Sequence, residues 1–186
     1  METKYNPDVH HRRSIRLRDY DYSGGGAYFV TICTFQRECL FGKLVDGEMW
    51  LNEVGNIVQM AWYDLPNHYP HVVLDQSVIM PNHFHGVIVI NGPGIVGAGF
   101  KPAPTEPAPT PEQHGKRHGL SEIVRAFKTF SARSINQLRD NAGCPVWQRN
   151  YYEHVIRNEA DLANVRQYIA NNPLKWGQDE NNPANV

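Results

Sequence analysis

Apolar positions along the chain follow two rhythms, one close to every residue or every second residue and one close to every third or fourth. After Gly24-Gly25-Gly26, the run Ala27-Tyr-Phe-Val-Thr-Ile-Cys-Thr-Phe35 is β-branched and aromatic throughout, which predicts a central strand. Residues 43–51, with Asp46-Gly47 in their middle, predict a small hairpin, because Asp-Gly suits the positive backbone angles of a tight turn. Between Asn52 and Tyr63, Val54, Ile57, Val58, Ala61 and Trp62 recur at helical spacing, with Asn52 as N-cap and Pro66 marking the end. His71–Met80 and Phe84–Ile90 read as two strands separated by the turn signal Pro81-Asn82.

The pattern stops at Gly92. From there to Gly119 the chain is rich in Gly, Pro, Ala and Thr, a spacer of polyproline character within the domain. Helical spacing resumes at Ser121, read as the cap of a helix to about Leu138 with Ile123, Phe127, Phe130, Ser134 and Leu138 on one face. Val146–Arg157 is expected to be partly extended, and a last helix runs from Glu159 to about Asn171, limited by Pro173. There are no internal repeats. This order of elements predicts an α+β sandwich, helices packed on a mostly antiparallel sheet, in one domain over residues 1–186 with an N-terminal arm, 1–23, and an internal loop, 92–119.

Composition narrows the function classes. In 186 residues, 18 Lys+Arg stand against 19 Asp+Glu, a net charge of -1, which excludes a bulk polycation that holds nucleic acid by charge alone. No apolar run reaches the ~18 residues that cross a bilayer. The first twenty residues are polar and charged, unlike a signal peptide, so a cytoplasmic protein without a membrane partner is expected. Cys33, Cys39 and Cys144 are odd in number and lack metal-site spacing, which points to a reducing compartment and buried thiols.

Nine histidines are the compositional excess, and two have a placement that suggests chemistry. His83-Phe84-His85 opens a strand, and side chains alternate across a strand, so the two imidazoles leave one face together as a pair able to hold a divalent cation. The bland reading is that one histidine ends the strand and the other sits on a polar face. A zinc hydrolase needs a further ligand and a general base, neither of which the spacing marks. Tyr168 and Asn172, four apart at the end of the last helix, share a face, so a phenol nucleophile and an amide ligand can sit side by side. A free tyrosine has a pKa of about 10 and needs a partner that polarises its electrophile. Equally, Tyr168 can pack with Val165 and Ile169 while Asn171-Asn172-Pro173 stops the helix.

Five segments in this order resemble one family: Ile79-Met-Pro-Asn-His-Phe-His-Gly86, Phe127-Lys128, Val146-Trp-Gln-Arg149, His154-Val-Ile-Arg-Asn158 and Tyr168-Ile-Ala-Asn-Asn-Pro-Leu-Lys175. They are similar to the REP-associated tyrosine transposases, a branch of the HUH single-strand transposases, and the likeness runs from about Tyr20 to Trp176. The loop at 92–119 departs from the compact family pattern. The resemblance implies a ferredoxin-like core, His83, His85 and Asn172 as metal ligands, and Tyr168 as the nucleophile. It also implies cleavage of single-stranded DNA through a covalent 5′-phosphotyrosine, with a free 3′-OH and rejoining by reversal. Two imidazoles and an amide oxygen suit Mg2+ or Mn2+, Mn2+ being the better match to two nitrogens.

The expected partner is single-stranded or hairpin DNA, bound by a monomer or a homodimer. Arg12, Arg13, Arg16 and Arg18 in the arm, and Arg125, Lys128 and Arg133 on the long helix, are candidates for phosphate contacts. Trp147, Tyr151 and Tyr152, interleaved with Gln148 and Arg149, offer rings for unpaired bases and charge for the backbone. His154 has no spacing argument for a ligand role, and His10, His11, His68, His71, His114 and His118 read as surface or loop residues. Two other classes compete: a DNA-binding protein of the same fold without cleavage, and a zinc hydrolase indifferent to Tyr168.

Overall fold

The computed structural model describes residues 25–92 and 118–185. Four strands, β1 (Gly26–Cys33), β4 (Val72–Ile79), β5 (His83–Ile90) and β6 (Tyr152–Ile156), form an antiparallel sheet in the order β4-β5-β1-β6. A separate hairpin joins β2 (Gly42–Val45) to β3 (Glu48–Leu51). Asp46 and Gly47 turn it at φ 52° and 80°, the two positive angles that a tight two-residue turn demands. The helices are α1 (Glu53–Tyr63), the short α2 (Leu65–His68), α3 (Leu120–Leu138) and α4 (Glu159–Asn171). Taken along the chain, β1-α1-β4-β5-α3-β6 is the split βαββαβ arrangement of ferredoxin-like folds, with α4 added at the end.

Alternation along β1 and β5 divides the sheet into two packed faces. Tyr28, Val30 and Ile32 of β1 and Phe84, Ile88 and Ile90 of β5 meet Val58 and Trp62 of α1 and Ile123, Val124 and Phe127 of α3. Ala27 and Phe29 of β1 and Val87 of β5 meet Leu162, Val165 and Ile169 of α4. A large aliphatic side chain contributes roughly 1.5–3 kcal/mol when fully buried. Because β5 lies between two strands and is covered on both faces, its near-continuous apolar sequence has a physical reason. A Cβ on Gly86 would meet Trp62 at 2.6 Å, so this position of β5 must stay bare for α1 to lie flat on the sheet.

Several expectations are corrected. Ser121 does not cap α3; the helix begins at Leu120 with Gly119 at the cap position and no side-chain cap hydrogen bond. Its buried stripe is Ile123, Val124, Phe127, Ser131 and Ile135, while Phe130 and Leu138 are exposed, because the helix turns its seam about one position away from the expected line. The helix from its Asn52 cap to Tyr63 is as expected, but Pro66 does not mark its end: it falls in the first turn of α2, where its missing N–H costs nothing. The cysteines are unpaired, with Cys39 exposed and Cys33 and Cys144 half-buried, so none is a core thiol. Among the described residues no helix is long and apolar enough to cross a membrane. The arm, and all of the internal loop but its ends, lie outside the described residues.

Candidate active site

His83 and His85 leave the sheet on the α4 face, as alternation requires, with ring centroids 4.6 Å apart, and both are buried. Asn82 orients the first ring. Its Nδ2 donates to the carbonyls of Arg37 at 2.9 Å and Asn181 at 2.7 Å, which turns its Oδ1 toward His83 Nδ1 at 3.0 Å. His83 therefore carries its proton on Nδ1 and presents an Nε2 lone pair. Thr31, opposite His85 in the β1–β5 register, holds that ring through Oγ1 to Nδ1 at 2.8 Å and leaves its Nε2 edge turned into the site. Burial lowers the His83 pKa to about 4 and puts that of His85 well below its ordinary value, with His83 adding to the latter effect. Both rings are thus neutral near pH 7, the form that ligates metals.

Helix α4 crosses above them. Asn158 caps it by accepting from the Asp161 amide at 2.9 Å, and Val165 and Ile169 press it onto the sheet. This docking puts Tyr168 edge-on to His85, with centroids 5.2 Å apart, and edge-on to Phe29 at 5.8 Å. The tyrosine is 46% exposed, which leaves it reachable from solvent. Asn172, one turn further, is buried beside both His83 and Tyr168. Burial, reinforced by the carboxylates of Asp179 and Glu180, raises the Tyr168 pKa above 10, so the chain by itself holds a neutral phenol there.

His83 Nε2, His85 Nε2 and Asn172 Oδ1 are all buried without a hydrogen-bond partner. A buried polar atom left unsatisfied costs roughly 1–3 kcal/mol, so three such lone-pair-bearing atoms facing one site fit a bound cation. Among the described residues no three His, Cys, Asp or Glu side chains gather as a metal cage, and the third donor here is an amide.

The phosphate-contact candidates divide. Arg12, Arg13, Arg16 and Arg18 lie outside the described residues. Arg125 and Arg149 are exposed and line a groove of about 480 Å³ between α3 and residues 144–151, with Lys128 and Tyr151. Lys128 is half-buried, and its ammonium donates to the carbonyls of Gln148 at 2.6 Å and Arg149 at 3.0 Å, which binds the groove's two walls together. Trp147 is core: its Nε1–H donates to Ser131 Oγ at 3.0 Å and its ring packs on Phe41 and Phe127, while Tyr152 is half exposed. His154 pairs with Asp161 at 3.0 Å, tying β6 to the first turn of α4, so it supports the helix and is no ligand. His71 and His118, expected as plain surface residues, join two segments: His71 Nε2 lies 2.9 Å from the His118 carbonyl, and His118 pairs with Glu122.

Sequence reasoning missed Thr31, Asn82 and the segment after Pro173. That segment folds back so that Trp176 lies 5.9 Å from the His83 ring and the Asp179 carboxylate 3.8 Å from His83 Nε2. Asn82 stands next to the histidines in the chain, but by type and position it reads only as a turn residue.

No family model matches the chain. An uncharacterised protein of Haemophilus influenzae is 44% identical over 183 residues, spanning 97% of this chain and 98% of that protein, so the two are one family. A second protein of H. influenzae, provisionally named a REP-associated tyrosine transposase, is 25% identical over 160 residues, 86% of this chain and 77% of its own length. Among solved structures, a REP-associated tyrosine transposase bound to a REP hairpin superposes with a TM-score of 0.58 at 20% identity, over 89% of this chain and 76% of that one, which shows a common fold. The chain thus belongs to one family with the 44%-identical H. influenzae protein, and in motif order and fold it is similar to the REP-associated tyrosine transposases.

Proposed function

We propose that the protein is a metal-dependent single-stranded DNA endonuclease and strand transferase acting on hairpin-forming repetitive DNA, with Tyr168 as nucleophile. The observation that carries this reading is the meeting of three buried, unpartnered donor atoms, on His83, His85 and Asn172, beneath a half-exposed tyrosine. A neutral pair of imidazoles and an amide oxygen suit Mg2+ or Mn2+, and a bound divalent ion would neutralise and polarise a phosphodiester oxygen.

The chain's own residues account for the remaining steps. The Tyr168 oxygen attacks phosphorus, and its proton is released to solvent, which the half-exposed side chain can reach. The bond from phosphorus to O3′ breaks, O3′ leaves as a hydroxyl after taking a proton, and the 5′-phosphate stays on the tyrosine. Attack by a 3′-OH on that ester runs the same steps backward, which rejoins strands without ATP. Asn82 and Thr31 keep the two imidazoles aimed throughout. Helix α4, held by Asn158, His154 and its apolar face, carries Tyr168 and Asn172 as one rigid unit.

Hairpin DNA as the partner is supported by the REP hairpin held by the structural relative and by the groove lined with Arg125, Lys128 and Arg149. Arg12, Arg13 and Arg16 would add phosphate contacts from the arm. A reaction on chromosomal repeats fits a cytoplasmic protein. The direct test is incubation of the protein with labelled hairpin DNA carrying a single-stranded flank, with Mg2+ or Mn2+. A covalent adduct is expected, lost in Tyr168→Phe while DNA affinity is kept. DNA binding without any adduct, in wild type and variant alike, would instead identify a binding protein that keeps the fold without cleavage.

A further inference from the structure

We propose that the outer face of the β2–β3 hairpin binds an unpaired nucleotide of the single-stranded flank beside the active site, with Trp50 as the stacking platform for its base and Lys43 as the contact for its phosphate. The proposal rests on the reading of flanked hairpin DNA as the substrate.

The two faces of the hairpin are put to different uses. Met49 and Leu51 turn inward and pack against the core under α1 and α3. Trp50, between them, points the other way, and it is 59% exposed. Lys43 is its partner across the strands, so the two side chains leave the same face together, and Lys43 is exposed as well. An open aromatic ring beside a cation suits single-stranded nucleic acid, because the ring takes a base of any identity and the cation takes a phosphate. A duplex keeps its base faces within its own stack, so only an unpaired flank can use the indole. Asp46 and Glu48, both exposed, stand at the turn end of the hairpin, which leaves the root, where Lys43 and Trp50 lie, as the end open to a phosphate.

The hairpin is also fastened at both ends to the segments that build the active site. At the root, the Phe41 amide, one residue before β2, donates to the Pro81 carbonyl at 3.0 Å, two residues before His83. At the tip, the side chain of Leu174, two residues after Asn172, lies against Gly47, where an added Cβ would meet it at 2.8 Å. The hairpin therefore stands beside the site from the histidine turn to the end of α4, as a neighbouring wall for DNA held at Tyr168.

The test is fluorescence anisotropy with the full-length protein and one labelled hairpin DNA, either bare or flanked on both sides by single strands. Divalent ions are left out so that no covalent adduct forms, and circular dichroism checks folding. Trp50→Ala is expected to bind the flanked DNA about tenfold more weakly and the bare hairpin as wild type does, while Trp50→Phe, which keeps a ring, retains most of the affinity. Lys43→Ala should lower the log–log salt slope for the flanked DNA by about 0.7, the share of one single-strand phosphate, and an unchanged slope would overturn the role of Lys43. A folded Trp50→Ala that binds both DNAs as wild type does, or that loses both equally, would overturn the platform, as would a flank that adds nothing to wild-type affinity. Wild-type protein that binds neither DNA would instead overturn the reading of hairpin DNA as the substrate, and the platform falls with it.

Discussion

At the residue scale, the site depends on which nitrogen of each imidazole is free, and that is decided by neighbours in space. Asn82 and Thr31 take the Nδ1 edges, and Nε2 remains. Partners of this kind typically change metal affinity about 10–100-fold. Asn82→Ala is therefore expected to weaken Mn2+ binding by about tenfold or more, read by electron paramagnetic resonance of free Mn2+ during titration, even though Asn82 itself is not a proposed ligand. Gly86 makes a separate prediction about packing. Gly86→Ala forces Trp62 off Phe84, whose ring centroid lies 4.5 Å away, and should cost about 1–3 kcal/mol in chemical denaturation. The pair His83 and His85 was legible in the sequence because a strand has a period of two. Thr31, Asn82 and Asp179 were not, because cross-strand register and a chain reversal after Pro173 bring them in, and neither leaves a periodic trace.

At the element scale, α4 decides whether Tyr168 meets the histidines. Its apolar face is modest, so polar contacts matter more: His154 holds its first turn, and Arg166 forms a two-point pair with Asp75 of β4, Nε to Oδ1 at 2.8 Å and Nη2 to Oδ2. Asp75 sits at the irregularity in the β4–β5 register between Leu74 and Ser77, which turns its carboxylate toward the helix. The Arg166 hydrogen bond lowers the Asp75 pKa, so the pair stabilises the fold above the ordinary carboxylate range, and that share is lost as pH falls through the depressed folded value. Since Arg166 is 46% exposed, the contribution is discounted to about 0.5–1 kcal/mol. Arg166→Ala should lower stability by that amount at pH 7 and by less as the pH drops below about 4, measured by urea denaturation across pH. The helices were legible from apolar spacing, but the buried face of α3 was not. Phe130 reads as core by type and lies outside, while Ser131 reads as surface and is buried because its hydroxyl donates to the Phe127 carbonyl at 2.6 Å and accepts from Trp147.

At the scale of the whole molecule, a ferredoxin-like sheet separates two tasks. One face, under α1 and α3, is core, and the other, under α4, holds the site. The net charge of -1 hides an uneven distribution, with basic residues gathered in the N-terminal arm and along α3. If the arm's arginines bind phosphates, Arg12→Ala, Arg13→Ala and Arg16→Ala together should weaken hairpin binding and flatten its salt dependence, by about 0.7–0.9 in the log–log slope for each phosphate no longer neutralised. An unchanged slope would take the arm out of the interface. The central claim is that Tyr168 forms the bond to DNA, and the most direct measurement is mass spectrometry of the protein digested after reaction with hairpin DNA and Mn2+. The account predicts a 5′-phosphonucleotide on the peptide containing Tyr168 and on no other peptide, and an adduct carried by a different residue would contradict it.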